Sequence, residues 1–185
     1  MALNATIYKV ELQVSDMDRN YYATHTLTLA RHPSETEERL MTRLLAFALY
    51  ADDRLEFGKD ISDDEEPALW HKDYTGDVLL WIEVGQPDKT RLRKVCARSR
   101  QVVVINYDGS ASDIWWDKTN TAVSRHQNLT VLDIPAATIA ELVRFLKRSM
   151  RLQCLIQDGQ LQLMNDVDSV TVDPVYRMRA TESTH

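Results

Sequence analysis

Glu83 is the side chain of this 185-residue sequence that most demands a partner. It lies in Val78 to Val84, VLLWIEV, with Val78, Leu80, Ile82 and Val84 on one side and Leu79 and Trp81 on the other. That pattern predicts a strand covered on both faces. A carboxylate enclosed there costs several kcal/mol when unpaired, so Glu83 calls for a cation, a proton or a metal ion. Gly85, Gln86 and Pro87 follow, and Pro87 suits the first position of a helix reaching about Ser99. This helix carries Lys89, Arg91, Arg93, Lys94, Arg98 and Arg100 against the single acid Asp88. Leu92, Val95, Cys96 and Ser99 give it a buried stripe. A carboxylate, a positive helix N-terminus and a basic face together suit a phosphate, with or without a metal ion.

The elements around this stretch belong to a folded α/β chain. Its length allows a full core, and 44% hydrophobic with 27% charged residues is an ordinary folded composition. The net charge of -6 excludes a generally basic nucleic-acid coat, so any polyanion must be bound locally. Cys96 and Cys154 are far apart, with no CxxC or Cys/His cluster, and read as reduced core thiols. The N-terminus lacks a signal-peptide apolar region and no long apolar run occurs, which predicts a cytoplasmic protein without a membrane partner. A monomer is expected.

Tyr8, Val10, Leu12 and Val14 alternate with polar residues, which predicts a strand from Thr6. Asp16 to Asn20 turns the chain into a second strand over Tyr22 to Arg31. Ser34 with Glu37 fits a capping box for a helix burying Leu40, Met41, Leu44, Leu45 and Ala48, and Glu35, Glu37 and Glu38 complement its dipole. The acid-rich segment Asp52 to Glu66 reads as a solvated loop interrupted by a short strand at Leu55 to Phe57. Leu69 to Lys72 forms a short strand, and Gln101 to Tyr107 a β-branched one that pairs in parallel with the Glu83 strand through the basic helix. Asp108 to Ser112 reads as a turn, Ile114 to Trp116 as a strand, Leu129 to Ile134 as a strand and Pro135 to Met150 as a helix. Leu152 to Gln157, Asp158-Gly159 and Gln160 to Met164 form a type I′ hairpin signature, and Ser169 to Asp173 adds a strand. A single domain over residues 1–176 is expected, with a frayed tail from Arg177.

Four stretches, LARHPSET at Leu29 to Thr36, LWIEVGQPD at Leu80 to Asp88, IWW at Ile114 to Trp116 and IQDG at Ile156 to Gly159, resemble the YaeQ family of bacterial proteins. The resemblance runs from the first residues to about Asp173. It implies a restriction-endonuclease-like fold of the PD-(D/E)XK nuclease type: a mixed central sheet of about four strands, helices on its faces and added antiparallel strands. In that pattern two acids hold Mg²⁺, which polarises the phosphate and activates water. Glu83 matches the second acid, and Asp73 or Asp77 the first. A continuous strand between Asp77 and Glu83 spans roughly 20 Å, so Asp73, carried back by the intervening turn, is the better metal partner. The helix acid of such nucleases falls on Glu35, Glu37 or Glu38. Where their lysine stands this chain has Gly85 and then Gln86, and Lys94 or Arg91 would replace the missing cation.

Two readings follow. In one, the chain is a Mg²⁺-dependent phosphodiesterase acting on DNA or RNA: Asp73 and Glu83 bind the ion, Glu37 positions water, and Lys94, Arg91 and Gln86 stabilise charge. In the other, the fold persists as a non-catalytic module binding nucleic acid or another protein through the same cleft, with Glu83 neutralised by Arg91 or Lys94. The absence of a Walker A loop, GxGxxG or GxSxG motif excludes nucleotide-cofactor and serine-hydrolase sites of those classes. His25, His32, His71, His126 and His185 are scattered and read as surface or core residues. Trp70, Trp81, Trp115 and Trp116 read as core.

Overall fold

Alternating apolar residues carry the chain out along β1 (Thr6–Asp16) and back along β2 (Tyr21–Arg31), paired antiparallel through every residue of both strands. Tyr8, Val10, Leu12 and Val14 are buried, as the alternation requires. The computed structural model describes residues 4–59 and 65–181. After β2 comes α1 (Glu37–Leu49), then the short strands β3 (Leu55–Phe57) and β4 (Leu69–Lys72), then β5 (Val78–Val84) and α2 (Lys89–Arg98). The chain continues through β6 (Ser99–Asn106), α3 (Gly109–Val123), β7 (Leu129–Asp133), α4 (Ala136–Val143) and β8 (Ser149–Gln157). It closes with β9 (Gln160–Met164), β10 (Ser169–Val172) and β11 (Val175–Met178).

These elements form two compact units. The first, Met1–Ala51 with Ala136–Pro174, contains a five-stranded mixed sheet ordered β10-β9-β8-β1-β2. Helix α1 packs against α4, and β8 lies parallel to β1. The β8–β9 turn has Asp158 at φ 53° and Gly159 at φ 75°, the left-handed pair that a type I′ hairpin needs. Their backbone N–H groups both donate to the Asp18 carboxylate at 2.8 Å, tying this turn to the one between β1 and β2. The second unit, Asp52–Pro135 with Val175–His185, contains a six-stranded mixed sheet ordered β11-β7-β6-β5-β4-β3. Strands β5, β6 and β7 are parallel neighbours, joined in turn by α2 and α3. Trp81, Leu92, Val95, Val102, Val104, Val123 and Val131 make its core on the helix side.

Several expectations are corrected. The expected mixed sheet with helices is present, but the strands divide into two mixed sheets, because β1, β2 and β8 to β10 make a sheet of their own. Ile114 to Trp116 is not a strand and Asp108 to Ser112 not a turn: α3 runs from Gly109, and its inward residues Ser112, Thr119 and Val123 recur at helical spacing that the polar types conceal. Helix α4 stops at Val143 rather than Met150. The chain then tightens into i→i−3 bonds, Arg144 N to Glu141 O and Phe145 N to Leu142 O, and Met150 is buried in β8. Helix α1 is capped by Thr36, whose hydroxyl accepts from Arg39 N at 3.1 Å, while Ser34 bonds His32. Pro87 lies outside α2, whose cap is Asp88, accepting from Arg91 N at 2.7 Å. Arg177, expected in a frayed tail, is inside β11 and paired with Asp133 and Asp113. Asp60, Asp63, Asp64 and His185 lie outside the described residues.

Both cysteines are buried free thiols. Burial pushes the Cys96 thiol up to about 11 and, with Asp16 nearby, the Cys154 thiol up to about 12. In the unfolded chain both ionise near the ordinary value of 9.0, so folding stability falls as pH rises past that value. Titration with a thiol reagent at neutral pH is expected to label neither cysteine in the folded protein and both in denaturant. Rapid labelling of the folded chain contradicts their placement in the core.

Candidate functional site

Strand β5 buries both of its faces over Trp81 to Val84, which places the Glu83 carboxylate against the helix that follows. Glu83 is 9% exposed. Its Oε1 accepts from the indole Nε1 of Trp81 at 2.8 Å and from Arg91 Nε at 2.6 Å. The required partner is therefore a guanidinium, and a neighbouring indole supplies a second donor. Arg91 also donates to the Glu66 carbonyl at 3.2 Å, and its guanidinium lies 5.6 Å from the Trp81 ring centre. Arg98 stands over the same ring at 5.2 Å and pairs with Glu65 at 3.5 Å. Beneath them Trp81 meets Trp70 edge to face at 5.8 Å.

Asp88, Thr90, Arg91, Lys94, Val95, Arg98 and Glu65 line a hollow of about 350 Å³ beside this pair. The near-continuous row of cations on α2 follows from its sequence, since Leu92, Val95 and Cys96 alone turn inward. Lys89, Arg93 and Lys94 of α2 are exposed, as is Arg100, which lies in β6 rather than on the helix, and none has an ion-pair partner among the described residues.

The structure does not bring Asp73 to Glu83. Strands β4 and β5 form an antiparallel hairpin in which Leu69 pairs with Ile82, and Asp73 N donates to Asp77 O at the turn. This register puts Asp73 and Glu83 at opposite ends of β5, roughly 20 Å apart by strand rise. Asp73 is instead the keystone of the turn: its Oδ1 accepts from Thr75 Oγ1 at 2.6 Å, Thr75 N at 2.8 Å and Asp77 N at 2.9 Å. The Thr75 hydroxyl first, with these backbone donors, holds its carboxyl below the usual value. Asp77 shares that end of the hairpin. The proposed acid pair thus does not fit one metal ion, and among the described residues no group of three or more His, Cys, Asp or Glu is placed to hold one.

Of the remaining expected residues, Arg91 meets Glu83, Lys94 lines the adjoining hollow, and Gln86 is exposed between β5 and α2. Glu37 and Glu38 belong to α1 in the first unit, where Glu37 is exposed with Arg31 at 3.9 Å. Glu35 is buried there between Arg39 and Arg43. Glu65 and Glu66, assigned to a solvated loop, are the neighbours the sequence reading missed. Counting back from the turn would have found them, because a hairpin closed at Asp73–Asp77 carries the chain before Leu69 past Glu83. Asn106 and Asp133 were also missed. They are register partners at the ends of β6 and β7, Arg177 donates to Asp133 at 2.6 Å, and the fully buried Asn106 carboxamide has no hydrogen-bond partner among the described residues.

Fold and site define a mixed α/β protein of two mixed sheets and, among the described residues, four helices, with a buried glutamate–arginine pair near the end of a parallel strand. The chain belongs to the YaeQ family, whose profile, YaeQ protein, matches residues 1–174. It is 42% identical over 173 residues to the "Uncharacterized protein YaeQ" of Escherichia coli strain K12, covering 94% of this chain and 96% of that protein. It is 44% identical over 163 residues to that of Salmonella typhi, covering 88% and 90%. The crystal structure of the YaeQ protein from Xanthomonas axonopodis pv. citri is similar at TM-score 0.91 and 55% identity, over 94% of this chain and 98% of that one. That of the YaeQ protein from Pseudomonas syringae is similar at TM-score 0.91 and 34% identity, over 96% and 98%.

Proposed function

We propose that this protein binds nucleic acid without cleaving it, through the cations of α2 and Arg100 of β6, with Glu83 acting as the structural counter-ion of Arg91. The observation that carries this reading is the exposed set Lys89, Arg93, Lys94 and Arg100, unpaired among the described residues on a chain whose net charge is -6. A phosphodiester backbone is the polyanion such a local row suits. Glu83, itself held by the Trp81 indole, fixes Arg91 in one orientation at the side of the hollow, so little side-chain freedom is lost on binding. A nuclease-like ancestry is supported by the order of elements, an antiparallel β3–β4–β5 meander followed by α2 and a parallel β6. Asp73 and Glu83, the acid pair expected to give such a core its metal, lie at opposite ends of β5.

Fluorescence anisotropy with single- and double-stranded oligonucleotides across a salt series tests the proposal. Affinity is expected to fall steeply with salt, and Arg93→Glu combined with Lys94→Glu to weaken binding by about tenfold or more with an unchanged melting temperature. No measurable binding at low salt, or no effect of the charge reversals, removes this function. Cleavage of the same oligonucleotides with Mg²⁺ or Mn²⁺, lost in Glu83→Gln, replaces it with the phosphodiesterase reading.

A further inference from the structure

The edges of the two sheets are unlike one another. Strands β3, β10 and β11 end their sheets with 3, 4 and 4 residues, whereas β2 ends the five-stranded sheet with 11. Short edges are one ordinary defence against strand addition, and lysine, proline, glycine or a bulge are others. Tyr21–Arg31, YYATHTLTLAR, has none of these, and its pairing with β1 runs without a register shift.

The direction of its free backbone groups can be derived. Lys9 N donates to Arg148 O, toward β8, so Lys9 and its partner Thr28 form a pair without mutual backbone bonds. By alternation Tyr22, Thr24, Thr26, Thr28 and Ala30 point their N–H and C=O groups away from β1, and Ala30 O accordingly accepts from Arg43 at 2.9 Å. The same five residues are exposed on the strand's outer face. Among the described residues no strand pairs with this edge, which is therefore a template for another strand, and the sequence of β2 is complementary to itself. A two-fold axis at Thr26 sets Thr26 against Thr26, Thr24 against Thr28 and Tyr22 against Ala30, and on the other face His25 against Leu27, Ala23 against Leu29 and Tyr21 against Arg31. No like charges meet anywhere along it, and cross-strand threonine pairs are favourable.

In place of the expected monomer, we propose that two copies of this chain associate through antiparallel pairing of their β2 edges, joining the two five-stranded sheets into one across a two-fold axis at Thr26. The inference is independent of the nucleic-acid reading. Sedimentation velocity of the full chain at micromolar concentration is expected to show a dimer. Thr26→Lys, which opposes two ammonium groups at the axis, and Thr26→Pro, which removes the outward N–H, are each expected to weaken dimerisation by about tenfold or more. Both leave the circular dichroism spectrum of the monomer intact, since proline is tolerated where an edge N–H faces outward. A monomeric wild type overturns the proposal. So does a dimer indifferent to both substitutions.

Discussion

Replacing Glu35 by alanine is expected to destabilise the folded chain by about 3–5 kcal/mol, lowering the melting temperature by roughly 10 °C for a protein of this size. Its side chain is 1% exposed, in the segment just before α1. Oε1 accepts from Arg43 Nη2 at 2.7 Å and Oε2 from Arg43 Nε at 2.8 Å, a two-pronged pair, while Arg39 shares Oε2. Arg31 Nε closes the arrangement on the Glu35 carbonyl at 3.0 Å. Removing the carboxylate leaves the Arg43 guanidinium, 7% exposed, buried without its counter-ion, while Ala30 O still accepts from it. The larger part of the loss is that stranded charge. Glu35→Leu with Arg43→Leu is therefore expected to recover part of the stability, and thermal denaturation of the two variants side by side checks it. A double variant no better than Glu35→Ala means that the carboxylate contributes through something other than pairing with Arg43.

The second large effect is at Glu83. Glu83→Gln keeps an acceptor for Trp81 and Arg91 but removes the charge that neutralises the guanidinium, and is expected to cost about 2–3 kcal/mol. The discount from a fully buried pair follows from the 24% exposure of Arg91, which keeps partial contact with water. Mg²⁺ or Mn²⁺ is expected to leave the melting temperature of the wild type unchanged, because the carboxylate is already engaged by Arg91. A metal-dependent rise in the wild type that vanishes in Glu83→Gln means that the acid serves an ion instead.

Much of this was legible in local pattern. The strand alternation of β1 and β2, the two-sided burial of β5, the inward stripe of α2 and the Asp158-Gly159 turn follow from side-chain direction and turn chemistry, which depend on near neighbours alone. Where polarity hid the period, as at Ser112 and Thr119 in α3, local reading failed. The requirement that Glu83 have a partner also followed from composition, since an apolar strand cannot leave a carboxylate unpaired.

The identity of that partner was a different kind of question. Arg91 and Lys94 stand three residues apart on one helix, and either could reach from sequence; the packing of α2 over Trp81 selects Arg91. Likewise Asp73 became a turn residue because the β4–β5 register carries it away from Glu83, and it is the backbone carbonyl of Glu66 that reaches Arg91. The separation into two sheets hinges on β8 lying parallel to β1 across more than a hundred residues of chain. By itself, then, the sequence determined most of the elements and their buried faces, α3 and the end of α4 excepted, and the need of Glu83 for a partner. Which distant segments pair, and so which side chains meet, was decided only by tertiary structure, because strand pairing follows from the mutual burial of surfaces that no local period records.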